Sequence, residues 1–190
     1  MANRNSAGFG LIPAGRLGGW PSIQGQGKYK IDAGHSTTIY NGECVKISSG
    51  YVVGGNGSAA DIIGVLNGIF FNAADTLKPT FSNFYKATIT PANSEDTTAF
   101  VIDDPFQQYV VAADAATGVA TFLETYDMNT SAGSDTTGKS SSTLDIGTTS
   151  ANGKQFRMLR SAEDPENEDA TAANHSVIVV STLNSFNGHN

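Results

Sequence analysis

Residues 99–113 read AFVIDDPFQQYVVAA. Phe100 and Ile102 alternate with Val101, and Phe106, Tyr109, Val110 and Val111 form a second run of β-preferring residues. Between the runs stands Asp103-Asp104-Pro105. Proline cannot donate a ladder hydrogen bond, and it biases the residue before it away from the α region. The stretch therefore predicts two strands joined by a bend in the middle of a β domain. The two carboxylates at the bend admit two readings, a metal or acid/base site, or a structural corner. Neighbouring strand residues point to opposite faces, so the pair does not readily converge on one substrate. A corner in which Asp104 caps nearby amides ahead of Pro105 is the favoured reading.

The same alternation recurs along the chain. Lys28–Ala33, Thr37–Ser48, Phe84–Thr90, Gln155–Leu159 and His175–Leu183 alternate or run apolar, and Asp61–Phe71 is apolar almost throughout, as in a strand buried on both faces. Gly-rich and polar turns separate them every 8–14 residues. Nine or ten short strands are expected, with at most one short helix near 112–123, in a single all-β sandwich or barrel-like domain over residues 28–190. Residues 72–82 read as a connection. Residues 129–153, mostly Ser, Thr, Gly and Asn, read as an exposed loop excursion with only Leu144 and Ile146 available to pack.

Residues 1–27 are expected to form an extended arm. Their glycines, with Pro13 and Pro21, oppose a stable helix or a long strand. Phe9, Leu11, Ile12, Leu17 and Trp20 are too apolar for a solvated tail. Such a segment orders only against a surface, its own domain or a partner's. Phe9, Leu11, Ile12, Arg16 and Trp20 are the candidate anchors. Charge is unevenly placed: residues 1–30 hold Arg4, Arg16, Lys28 and Lys30 and no acid, while the whole chain carries −7. A basic arm on an acidic body suits an acidic partner surface, such as a neighbouring subunit. The acidic balance argues against nucleic-acid binding through a broad basic surface.

Catalytic and cofactor signatures are weak. Neither a phosphate-binding loop nor a dinucleotide fingerprint is present, and there is no nucleophile elbow. Cys44 is the only cysteine, so no intrachain disulfide forms, and its place in a strand without a local histidine favours a structural role. Asp164-Pro-Glu-Asn-Glu-Asp169 clusters four carboxylates, but the sixth position that a calcium loop gives to glycine is Asp169. A solvated acidic loop is expected, with no metal and no cofactor. No apolar run reaches the ~18 residues of a membrane helix, and no secretory leader pattern follows Met1, so neither a membrane partner nor export is expected. The sequons at Asn56, Asn129 and Asn174 are expected by chance in so Asn/Ser/Thr-rich a chain.

Several short motifs, in order, resemble the capsid decoration (cement) proteins of tailed bacteriophages. They are Asn5 with Gly8–Gly15 and Gly18-Gly19, then Thr38–Lys46, then Ile63–Gly68. The most specific is Val101–Phe106 followed by Tyr109–Asp114, and Phe156–Leu159 and Asp164–Asn167 complete the series. Two features depart from the pattern: Gly42-Glu43 where the family more often looks like Gly-Asp, and the Ser/Thr-rich 129–153 segment. The resemblance implies a β-rich, non-enzymatic virion protein, made in the host bacterial cytoplasm and bound to the capsid exterior. Its partners would be the major capsid protein and other copies of itself, often as a homotrimer. Its role would be to clamp capsomer boundaries against the pressure of packaged DNA. The alternatives are another phage head or tail component, or a β-sandwich that binds or hydrolyses carbohydrate, which would need exposed aromatics and a carboxylate pair on one face.

Overall fold

The computed structural model describes residues 3–19, 25–57, 61–130 and 133–186. It is all-β, with two antiparallel sheets and two single 3₁₀ turns, at 92–94 and 119–121. Twelve strands run in chain order: β1 Ile12–Arg16, β2 Gly27–Ile31, β3 Cys44–Ser48, β4 Tyr51–Gly54, β5 Gly64–Asn72, β6 Pro79–Ser82, β7 Thr97–Ile102, β8 Gln107–Ala112, β9 Thr125–Met128, β10 Leu144–Ser150, β11 Phe156–Ser161 and β12 Ser176–Ser181. The first sheet has the order β1-β8-β12-β11-β9-β10. The second has the order β2-β7-β5-β3-β4, with β6 also on β5.

Twelve strands replace the nine or ten expected, and the additions lie where the sequence read as irregular. β1 lies inside the expected arm and pairs with β8 at the sheet edge. An edge tolerates Pro13, whose missing N–H need not face a neighbour, and a bulge between Pro13 and Gly15 absorbs the irregular register. β6 lies in the expected connection and forms a hairpin with β5. β10 lies in the expected 129–153 loop, where Leu144 is fully buried and its threonines suit an edge strand. Conversely, Phe84–Thr90 makes no ladder. Only Tyr85 bridges, to Ile39, and the Ile89 N–H turns back to the Lys86 carbonyl.

The strands flanking Asp103-Asp104-Pro105 do not pair with each other. β7 belongs to the second sheet and β8 to the first, so the corner carries the chain from one sheet to the other. The Phe106 N–H donates to Asp104 Oδ1 (2.9 Å) and the Gln107 N–H to the Asp104 carbonyl (3.1 Å), which is the Asx-type turn expected before proline.

One core cluster lies between the sheets. Cys44, Ile62, Val65 and Ile102 meet Tyr109, Val111, Tyr126, Phe156, Val177 and Val179 there, with Tyr109 and Phe156 edge to face (6.3 Å, 89°). A second cluster, including Ile31, Val45, Leu66, Ile69, Tyr85 and Val101, fills the concave side of the second sheet. That sheet curls until β2 and β4 approach each other, but no ladder joins them and no barrel closes.

Candidate interaction surface

The curl of the second sheet sorts its residues by face. Cross-strand partners share a face. Lys28 pairs with Phe100 and Lys30 with Thr98; Gly68 pairs with Phe100, Phe70 with Thr98, and Phe81 with Phe70. The intervening Ile31, Ala99, Val101 and Ile69 point into the second core. Phe70, Phe81 and Phe100 therefore stand on the convex face with Lys28 and Lys30 beside them. Phe81 is 65% exposed and Phe70 37%. Phe81 lies across the sheet against Phe100, with ring centroids 5.7 Å apart. Gly68 makes this possible, because a Cβ there would stand 2.9 Å from the Phe81 ring. The Lys30 ammonium donates to Thr98 Oγ1 (3.2 Å), and among the described residues neither Lys28 nor Lys30 has an ion-pair partner. Glu95 and Asp96 line a small cavity, about 110 Å³, beside Lys30 and Phe70. The result is a sheet face of three aromatic rings edged by two unpaired cations, on a chain of net charge −7.

The candidate anchors of the arm fall in different environments. Leu11 is 2% exposed and sits in the core between the sheets, so its side chain serves its own fold. Phe9 is half-buried. Ile12 and Leu17 are exposed, at 48% and 44%. Arg16 Nε–H donates to Asp104 Oδ2 (2.7 Å), and its guanidinium lies 5.3 Å from the centre of the Phe106 ring. The arm and the corner, separate in the sequence, thus meet at Arg16, Asp104 and Phe106. Trp20 lies outside the described residues. The start of the arm is tied down as well. Asn3 bonds the Asp169 and Ala173 carbonyls and the Asp169 N–H, the Arg4 N–H donates to the Glu166 carbonyl, and the Asn5 N–H donates to Asn167 Oδ1. Arg4 also pairs with Glu166.

The two corner carboxylates diverge. Asp104 takes Arg16, whereas Asp103 accepts from the Tyr29 hydroxyl on β2 (2.8 Å). Burial, followed by that hydrogen bond and the Asp103 charge, pushes the Tyr29 hydroxyl up to about 12. Two carboxylates turned toward different strands do not form an acid/base pair.

The Cys44 thiol and the His175 imidazole are internal. Cys44 is fully buried; its thiol donates to Asn56 Oδ1 (2.8 Å), and burial raises its pKa well above the usual range. His175, buried, is held between Thr117 Oγ1 at Nδ1 and Ser161 Oγ at Nε2. This trio was not legible in the sequence, because its members come from three separate segments. The acidic turn bonds to itself: Asp164 accepts from Asn167 Nδ2 (2.8 Å) and the Glu166 N–H (3.2 Å). Among the described residues no three His, Cys, Asp or Glu side chains gather as a metal site.

The aromatic face was missed in the sequence for a related reason. Phe70, Phe81 and Phe100 lie on three strands, and only the register brings them together. No family model, no curated protein and no solved structure matches this chain.

Proposed function

We propose that the chain is a non-enzymatic virion structural protein, a capsid decoration protein of a tailed phage. It would dock on the exterior of the icosahedral shell and self-associate, most simply as a trimer, across capsomer boundaries. Its two sheets, packed through a shared core, are read as a sandwich. The observation that carries the binding role is the convex face of Phe70, Phe81 and Phe100 edged by Lys28 and Lys30. Exposed aromatics close together on one surface mark contact sites, because their burial supplies much of the binding energy at low entropic cost. The two unpaired ammonium groups complement an acidic partner surface and would speed docking at low salt. The motif order described above supplies the identity of the partner, the major capsid protein. A buried thiol and diverging corner carboxylates fit a protein that works by holding rather than by reacting.

Deleting the arm is not a clean test, since it removes Leu11 from the core and β1 from the sheet. Phe81→Asp and Lys28→Glu/Lys30→Glu leave both cores intact. Undecorated shells would be mixed with each purified variant and sedimented. Each change is expected to lower occupancy at least tenfold, with unfolding midpoints close to wild type. Wild-type occupancy in both variants would refute this face as the contact. Failure of the wild-type protein to bind any shell of its source virion would refute the function itself.

A further inference from the structure

A separate feature lies on the outer side of the first sheet. Arg157 on β11 pairs across the sheet with Thr125 on β9 and Val180 on β12. The turn after β10 folds over it. The guanidinium donates to the Leu123 carbonyl, to Asn152 Oδ1 (3.0 Å) and to the Ala151 carbonyl (3.4 Å). All three acceptors are neutral, and among the described residues no carboxylate pairs with Arg157. Asp127 lies two residues from Thr125 on the same face of β9. Asp127 is already committed to Lys154 Nζ (2.8 Å) and the Gln155 N–H. The site therefore retains one uncompensated positive charge on a chain of net −7.

Arg157 lines a cavity of about 340 Å³ with Thr125, Asn152, Gly153, Ser181, Thr182 and Leu183. Thr125 and Ser181 are buried, while Asn152 and Gly153 form an exposed rim. The hydroxyls of Thr125 and Thr182 donate to the Ser150 and Lys154 carbonyls, which leaves their oxygens free to accept. Asn152 offers its amide N–H groups. Ser181 borders the cavity, but its side chain shares the core-facing side of β12 with Val177 and Val179 and pairs across with Phe156, so its hydroxyl is turned away from Arg157.

These groups match one chemical class. A guanidinium has five N–H groups, and those not donating to Leu123, Ala151 and Asn152 remain for an anion such as a carboxylate. One cation balances the single charge of a carboxylate. Hydroxyl acceptors and an amide donor suit a ligand rich in hydroxyls, and Leu183 suits the apolar face of a sugar ring. The volume admits one such ring and lies at the small end of ligand pockets. We infer that this cavity is a binding site for a small hydroxylated monocarboxylate, that is, a uronic-acid residue free or at the end of an acidic glycan. The inference stands apart from the proposed shell contact, which uses the other sheet, and it is tested without any shell.

Amide chemical shifts of the isolated full-length protein would be followed during titration with glucuronate, glucose, glucuronamide and inorganic phosphate. Glucuronate is expected to shift the amides of residues 150–157 and 181–183 saturably. Glucose and glucuronamide are expected to bind at least tenfold more weakly, and phosphate no better than glucose. Arg157→Gln removes the charge and is expected to weaken glucuronate at least tenfold. Because Arg157 also holds the covering turn, Leu183→Trp provides a second test: it fills the cavity without touching the guanidinium and is expected to abolish the shifts. No saturable glucuronate shift, equal response to glucose, tighter binding of phosphate, or glucuronate binding unchanged in Leu183→Trp would each overturn the assignment.

Discussion

Glu43 is the group whose environment makes the most definite demand on stability. It stands just before β3 with Oε2 accepting the Tyr40 N–H (3.0 Å), and Gly54 packs so close that a Cβ there would come within 2.9 Å of Oε1. Burial outweighs that hydrogen bond and raises its pKa from 4.5 to about 7. Below pH ~4.5 the folded and unfolded chains both hold the proton. Between pH ~4.5 and ~7 the native chain keeps a proton that the unfolded chain has released, so the fold weakens as pH rises. Above ~7 both states have lost it, and the native protein carries a charge in a poorly hydrated place. At ~1.4 kcal/mol per unit, the interval corresponds to about 3 kcal/mol. Glu43→Gln copies the protonated side chain and removes the titration. Urea unfolding of both proteins from pH 4 to 8.5 should show nearly equal stability at the acid end. Above pH 7.5 the Gln variant should lead by about 3 kcal/mol, or ~1.5 M in midpoint for a urea slope of ~2 kcal/mol/M. A difference that stays constant across this range would refute the burial argument, because only a titrating group produces a pH-dependent gap.

Two further outcomes follow from the placement of the arm and of the buried histidine. Leu11→Ala should cost about 2–5 kcal/mol in chemical denaturation, the range for truncating a buried leucine, whereas a freely solvated arm would show almost none. Burial, only partly opposed by the charges of Asp169 and Glu168, lowers the His175 pKa, so the stability it contributes is present above pH ~6.5 and is lost as pH falls below. His175→Gln should flatten that acid limb in thermal unfolding between pH 6.5 and 5; an unchanged slope would assign the limb to other groups.

Much of the architecture was legible in local pattern. Alternation located β2, β3, β7 and β11, since a strand with one buried face must repeat every two residues, and apolar or β-preferring runs located β5, β8 and β12. Pro105 and Asp104 marked the corner, because fixed φ and a side-chain cap act within a few residues. Cys44, in a strand without a local histidine, read as structural, and Val177–Val180 formed an apolar run; both are buried. The 129–153 segment shows where pattern fails: an edge strand needs little apolar surface, so β10 looks like a polar loop. Phe84–Thr90 shows the converse, an alternating run that turns before it can pair.

The sequence by itself determined that this protein is all-β, where most of its strands begin, and that residues 103–105 form a bend. Tertiary structure alone decided that the bend separates two sheets, that Ile12–Arg16 is an edge strand of its own domain, and that Arg16 closes onto Asp104. It alone also assembled Phe70, Phe81 and Phe100 into one face and left Arg157 without a counter-charge. The physical reason is the same in each case. Strand formation and turns are set by neighbours in the chain, but register and sheet membership are set by contacts between residues far apart in sequence. A shift of one residue in that register would turn every aromatic of the face inward.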